Sequence, residues 1–385
     1  MAQGYSRGPM EHHFTGPPYT LGVEEELMIV DAKSMELVPA IEEMIEAMPR
    51  ETQGAVKPEL IQSVLEISTD VCRDVGEAAG QLEDLRRRVR ETAEAKGLTI
   101  GSAATHPFAH WEDQRIVKRD RYQEIVDMLG FVARQELLFG LHVHVGIDDA
   151  DKAIHVANGL RVHIPILLAL STNSPFWRGR PTGLKSSRTP IFRLLPRVGL
   201  PPRFDSWEEY CSRLQFMVEA GAVPDYTFLW WDVRPHPNLG TVELRSCDAQ
   251  TRLEHTVALT ALVQAMAKEL AEHFDAGFQL GSYPRELLEE NKWAAARYGI
   301  QGDLIDLPQS TRVPTAELAR RLVERLRPHA RELGSEREFD VLEDLIEHGS
   351  GADRQLAEYR ANRDMVALVR AIVEATAAGA TGRVG

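Results

Sequence analysis

The chain has 385 residues, 43% hydrophobic and 26% charged, with a formal net charge of −14 at pH 7. This is the composition of a folded protein with a sizeable core, and the negative charge argues against nucleic acid or an anionic membrane as a partner. Three cysteines without a CxxC pair exclude a disulfide framework and point to a reducing compartment; no charged-then-apolar leader opens the chain and its longest apolar run, IPILLAL at 164–170, is too short to span a bilayer, so the cytoplasm is the expected location.

In chain order, residues 1–18, rich in Gly, Pro and His, read as a loose terminus. From 19 to 250, strand-like runs at 20–30, 98–104, 138–147, 226–233 and 240–246 alternate with helical ones at 39–48, 74–96, 119–134, 152–171 and 206–220. The basic triplet Arg86–Arg88 within the second helical run reads as a solvated face. The Pro-rich, basic segment 178–204 reads as a long mobile loop. After 250 the pattern is helical, at 251–275, 284–297, 314–333, 337–347 and 351–377, and 378–385 form a second loose end. The order predicts an α+β fold: one catalytic domain over 19–377, with an antiparallel sheet in the first part and a helical C-terminal layer from 251.

Charged residues stand inside the apolar runs. In LGVEEELMIVD (21–31), alternation along a strand puts Glu24 and Glu26 on one face and Glu25 on the other. Two carboxylates with Cα atoms roughly 7 Å apart are either solvated along an edge or held by a divalent cation. In KPELIQSVLEIST (57–69), Glu59 and Glu66 share a face if the segment is helical and oppose each other if it is extended; both also suit an ordinary surface. GLHVHVGI (140–147) is more pointed. His142 and His144 face one side while Leu141, Val143 and Val145 pack behind, and imidazole is a common ligand of divalent metals. In TVELRSCD (241–248), Glu243 and Arg245 share a face, as a plain ion pair or as a metal-ligating carboxylate beside a phosphate-binding guanidinium. Carboxylates with imidazole and little sulfur favour Mg²⁺ or Mn²⁺, and the number of acids favours two or more ions of the kind that manage phosphates. There is no GxxxxGK[ST], no GxGxxG after a strand and no HExxH.

The stretches LGVEEELMIVD, KPELIQSVLEIST, GSAATHPFA, GLHVHVGI, WWDVRPHPNLGTVELRSCD and NKWAAARYG, in that order, resemble the carboxylate–amine ligases of the YbdK type, the glutamate–cysteine ligase 2 family of the glutamine synthetase-like group. The resemblance implies a curved antiparallel sheet forming a half-barrel with outer helices, a homo-oligomer (a dimer), and ATP-dependent joining of a carboxylate to an amine through an acyl phosphate. Glutamate and cysteine are the default small-molecule substrates. It implies metal ligands at Glu24, Glu26, Glu59, Glu66, His142 and Glu243. Catalytic roles fall to Arg245, to His144 beside the metal-binding histidine, and to Arg188 on the basic loop with Lys185 and Arg193. Asn291, Arg297 and Lys185 would contact nucleotide. Lys292 departs from the arginine of the family's late motif and loses its bidentate fork. Glu25 faces away with no assigned partner, and Cys247 reads as a small packing residue. Two other functions fit the same cluster: a metal-dependent amide hydrolase, which needs no nucleotide, and a non-catalytic protein that binds nucleotide or amino acid.

Overall fold

The computed structural model describes residues 10–379. The outer parts of both expected loose ends, 1–9 and 380–385, lie outside the described residues. The inner part of the first one is not loose. Phe14 is buried and meets Trp207 edge-on at 5.4 Å, and the His13 amide donates to the Pro237 carbonyl. Gly240 makes this approach possible: its backbone is left-handed, and a Cβ there would lie 2.0 Å from the His13 carbonyl oxygen.

Seven strands form the main sheet: β1 (Leu21–Asp31), β2 (Val56–Pro58), β3 (Val64–Ser68), β4 (Leu98–Gly101), β5 (Gly140–Gly146), β6 (Val233–His236) and β7 (Thr241–Asp248). All pairings are antiparallel, in the order β6-β7-β5-β1-β3-β2, with β4 on the second half of β1. Period-two alternation makes each central strand two-faced. Val23, Leu141, Val143, Val145, Val242 and Leu244 belong to the main core. That core is closed by the helices Val75–Glu94, Ala150–Ser171 and Leu253–Asp275, which pack on the sheet. Ala150–Ser171 is long and apolar enough to cross a membrane by length, but 72% of its apolar window is buried inside the fold, as befits a central core helix. The later helices Arg285–Tyr298, Thr315–Glu332 and Glu338–His348 pack outside Ala150–Ser171 and Leu253–Asp275, and one apolar cluster runs from Val143 to Leu326. The change at 250 is thus a change of layer. A smaller core covers the far end of the other sheet face, where Met28, Val30 and Val64 meet Leu368 and Ile372 of the last helix.

Five segments differ from expectation. Residues 57–69 are neither one helix nor one strand: β2 turns back into β3. The run 119–134 breaks at Gly130 (φ 57°), and 351–377 breaks at Arg363 (φ 53°), after which Asp364 caps the amides of Val366 and Ala367. The run 226–233 is a 3₁₀ turn and a two-residue strand before β6 begins. The segment 178–204 is folded rather than a mobile loop. Its Ser186 donates to the buried Asp248 at the end of β7, Ser174 donates to the same carboxylate, and the helix Arg188–Phe192 starts there.

Candidate active site

Strand register assembles the site. Across the sheet Glu24 lies opposite His142, Glu26 opposite Glu66, and Glu243 opposite both His144 and, on its outer side, Arg234. Each pair is directly cross-strand, so the side chains meet on one face. His142 Nδ1 is 3.2 Å from Glu24 Oε2, and His144 Nε2 lies 3.9 Å from both Glu24 Oε2 and Glu243 Oε1. His144 Nδ1 is fixed by the Thr241 hydroxyl at 3.0 Å, while its buried Nε2 has no hydrogen-bond partner. That unpartnered nitrogen points between the two carboxylates.

Two groups have ligand atoms mutually close enough to share a cation: Glu24, His142 and Glu243, and Glu26, Glu66 and His142. His142 belongs to both, which suits two adjacent ions. Electrostatics separates them. Burial raises the Glu24 carboxyl, but the His142 hydrogen bond and the nearby His144 imidazole outweigh it and hold it well below the usual range. Glu243 is likewise held down, against burial, by Arg234 and Arg245. The second group has few cations of its own. Burial, then the charges of Glu24 and Glu26, push Glu66 up to about 7, with Lys57 at 3.2 Å opposing. Glu59, raised by burial and by Glu66 and Glu26, stands beside it. Burial and Arg245 lower His142, keeping its ring neutral and able to ligate. The donor set therefore fits hard divalent cations.

The arginines complete this face. Arg245 pairs with Glu243 and has a buried Nε without a partner. Arg188 is buried, donates from Nη2 to the Arg245 carbonyl at 3.2 Å, and lies 5.5 Å over the Phe192 ring. Gly140 gives it room: a Cβ there would lie 2.6 Å from Arg188 Nη2. Both guanidiniums line a cavity of about 130 Å³ with Glu26, Glu59, Glu136 and His142 at its charged end. A second cleft, of about 310 Å³, opens on the other side of the acids, lined by Glu24, His144, Lys57, Ser68, Thr69 and Thr241.

Nine of the expected residues therefore come together: Glu24, Glu26, Glu59, Glu66, His142, His144, Arg188, Glu243 and Arg245. Four line neither cavity. Lys185 pairs with Asp353, and Arg193 with Glu289 at 2.9 Å. Arg297 donates to the Gly183 carbonyl, and Asn291 bonds the Ile305 amide and carbonyl, pinning the Asp303–Pro314 hairpin. Lys292 forms a buried pair with Asp232 at 2.7 Å, and the Asp232 carbonyl accepts from the Arg245 amide.

Glu25 has a partner after all. Arg86 forms a two-pronged pair with it on the opposite sheet face at 2.6 and 2.7 Å and also bonds the carbonyls of Gln250 and Thr251, so only Arg87 and Arg88 of the triplet are solvated. Cys247 is buried and burial pushes its thiol up to about 12, which is the state of a packing residue. Sequence reasoning missed Arg234, Asp248 and Glu136. Register alone marks Arg234; the other two carry no local signal.

The chain matches known proteins in sequence and in fold. The family model described as Glutamate-cysteine ligase family 2 covers residues 20–375. A protein of Rubrobacter xylanophilus named "Putative glutamate--cysteine ligase 2-1" is 47% identical over 96% of this chain and 97% of its own, and one of the same family name in Sorangium cellulosum is 43% identical over 94% and 97%. Among solved structures, a glutamate–cysteine ligase of Francisella tularensis in complex with AMP superposes with a TM-score of 0.70 at 13% identity, over 94% of this chain and 90% of that one. The bifunctional glutathione synthetase of Pasteurella multocida gives 0.67 at 14%, over 94% of this chain and 51% of that one. At such identities these two establish the α+β fold, and the sequence relatives establish that the chain belongs to glutamate–cysteine ligase family 2.

Proposed function

We propose that the protein is an ATP-dependent carboxylate–amine ligase that makes an amide through an acyl phosphate, with L-glutamate and L-cysteine as the default pair. The observation that carries this reading is that two carboxylate–imidazole groups share His142, and that His142 and Glu26 line one cavity with two arginines. A carboxylate is a poor acyl donor because its leaving group is oxide. Moving the γ-phosphoryl of ATP onto it creates a leaving group, and that transfer between anions needs concentrated positive charge.

The ligand groups Glu24, His142 and Glu243, and Glu26, Glu66 and His142, are suited to hold Mg²⁺ or Mn²⁺. Such ions would neutralise phosphate oxygens and template the in-line transfer. The chain's own groups do the rest. Arg245, aimed by Glu243, faces the negative charge that grows on the transferred group. Arg188 brings a second guanidinium to the same cavity, and the Asp248–Ser186–Ser174 clamp holds its helix in place. His144, held by Thr241, keeps Nε2 between Glu24 and Glu243. The cavity and the opposite cleft give the acids two approaches, as a reaction joining two substrates requires. A need for ATP and three buried free cysteines suit the cytoplasm.

The test is ADP release by the purified protein with Mg²⁺ and ATP, first with glutamate alone and then with cysteine and other amines, with the products weighed. ADP formed only when acid and amine are both present, with a product lighter than their sum by one water, is the expected result. No ADP with any pair, together with metal-dependent loss of an amide, would replace the ligase with a hydrolase.

A further inference from the structure

The cavity beside Arg188 is more apolar than joining glutamate to cysteine requires. Beyond its charged end its walls are Leu60, Ile61, Val64, Tyr122, Ile125, Leu129, Leu138, Phe192, Leu195 and Trp230. Six of them come from segments that carry none of the cavity's acids. Tyr122, Ile125 and Leu129 form one stripe of the helix Asp120–Leu129 at helical spacing. Phe192 and Leu195 end the helix that carries Arg188, and Trp230 precedes β6. Arg197 ties two walls together: its guanidinium stacks 5.5 Å over Trp230 and its Nη2 reaches the Met128 sulfur at 3.4 Å. At the neighbouring surface Met128 and Leu194 are exposed, by 43% and 54%.

The charged end is equally particular. Glu136 has a buried Oε1 with no hydrogen-bond partner and lines the same cavity as the buried Arg188. A carboxylate and a guanidinium beside an apolar chamber are complementary to a zwitterion with a hydrophobic side chain. The opposite cleft, at about 310 Å³, is larger, carries Ser68, Thr69, Thr241 and Lys57 among its walls, and has more room for a nucleotide.

We propose that this cavity binds the amine substrate as an α-amino acid with a branched or aromatic apolar side chain, its ammonium at Glu136, its carboxylate at Arg188, and its side chain among Ile125, Leu129, Leu195 and Trp230. This deepens the ligase reading and rests on it for the word substrate, but the binding claim stands apart.

The test has two arms. In the first, L-leucine, L-phenylalanine, L-alanine and L-cysteine are titrated calorimetrically into the full-length protein with Mg²⁺ and a non-hydrolysable ATP analogue. Leucine or phenylalanine is expected to bind about 10- to 100-fold more tightly than alanine, from the added methylenes buried. In the second, the same amines are compared by kcat/KM for ADP release with glutamate as the acid. Leu129→Ala and Leu195→Ala, checked for an unchanged thermal midpoint, are expected to shrink the preference at least fivefold and leave analogue binding unchanged. Equal binding of alanine and phenylalanine overturns the proposal. So does a variant that weakens the nucleotide analogue and spares the amino acids, because the cavity would then hold the base. Selective binding of phenylalanine with no ADP released by any pair would instead sink the ligase reading and leave the pocket assignment standing.

Discussion

The crowded acids make a prediction that needs no substrate. Glu66 is 7% exposed and its carboxyl is pushed from an ordinary 4.5 up to about 7, first by burial and then by Glu24 and Glu26. Below pH 4.5 it is protonated in both the folded and unfolded chain and costs nothing. Between 4.5 and 7 the unfolded chain releases the proton and the folded chain keeps it, so stability falls as pH rises. Above 7 the full difference remains, about 3 kcal/mol at 1.36 kcal/mol per unit. A divalent cation removes this cost by standing in for the proton. Metal-free protein should therefore have a lower urea midpoint at pH 8 than at pH 5.5, and millimolar Mg²⁺ should raise the midpoint more at pH 8. His144, raised by Glu243 and Glu24 against burial, also loses stability as pH rises, so the wild-type profile alone does not isolate Glu66. Glu66→Gln does. Without metal it should be more stable than wild type at pH 8, by up to about 3 kcal/mol, and it should lose most of the Mg²⁺ effect. A Glu66→Gln protein that is less stable at pH 8, with Mg²⁺ stabilisation intact, would show that this carboxylate is neither crowded nor a ligand.

Three further outcomes follow from named contacts. Arg86→Ala leaves Glu25 charged, fully buried and held only by Thr256, so denaturant unfolding should show a loss of about 3–5 kcal/mol, most of it recovered when both residues become Leu. Arg245→Lys keeps the charge and loses the planar fork; turnover should fall at least tenfold more than the KM for ATP rises, and equal changes would assign Arg245 a plain binding role. The three cysteines are buried, so a thiol reagent should label none in the native protein and all three in urea, with ligase activity unaffected by the native treatment.

The acid face was legible because strand alternation is a local rule. In HVH, EEE and ELR the chemistry-bearing residues sit at period two against apolar neighbours, and burial of one face fixes the other. What escaped depends on partners far apart in sequence. Arg86 and Glu25 are 61 residues apart, yet a sign was present: Ala78, Leu82, Leu85, Val89 and Ala93 mark the buried side of that helix, and Arg86 falls on it. Asp248 is invisible locally, because its work is to clamp Ser174 and Ser186, and through them Arg188.

The residues that misled were basic ones in recognisable motifs. Lys185, Arg193 and Arg297 have the charge for phosphate, but Asp353, Glu289 and the Gly183 carbonyl already occupy them. Arg188 differs from them in what surrounds it, since its side chain is buried beside acids that are not its own partners. A cation paired with a group away from the cavity holds the scaffold; one buried at the edge of an over-acidic cavity is available to an incoming anion. That distinction, rather than charge or motif, separates the residues that build this fold from those suited to chemistry, and it selects Arg188 and Arg245 from the basic residues that the sequence offered.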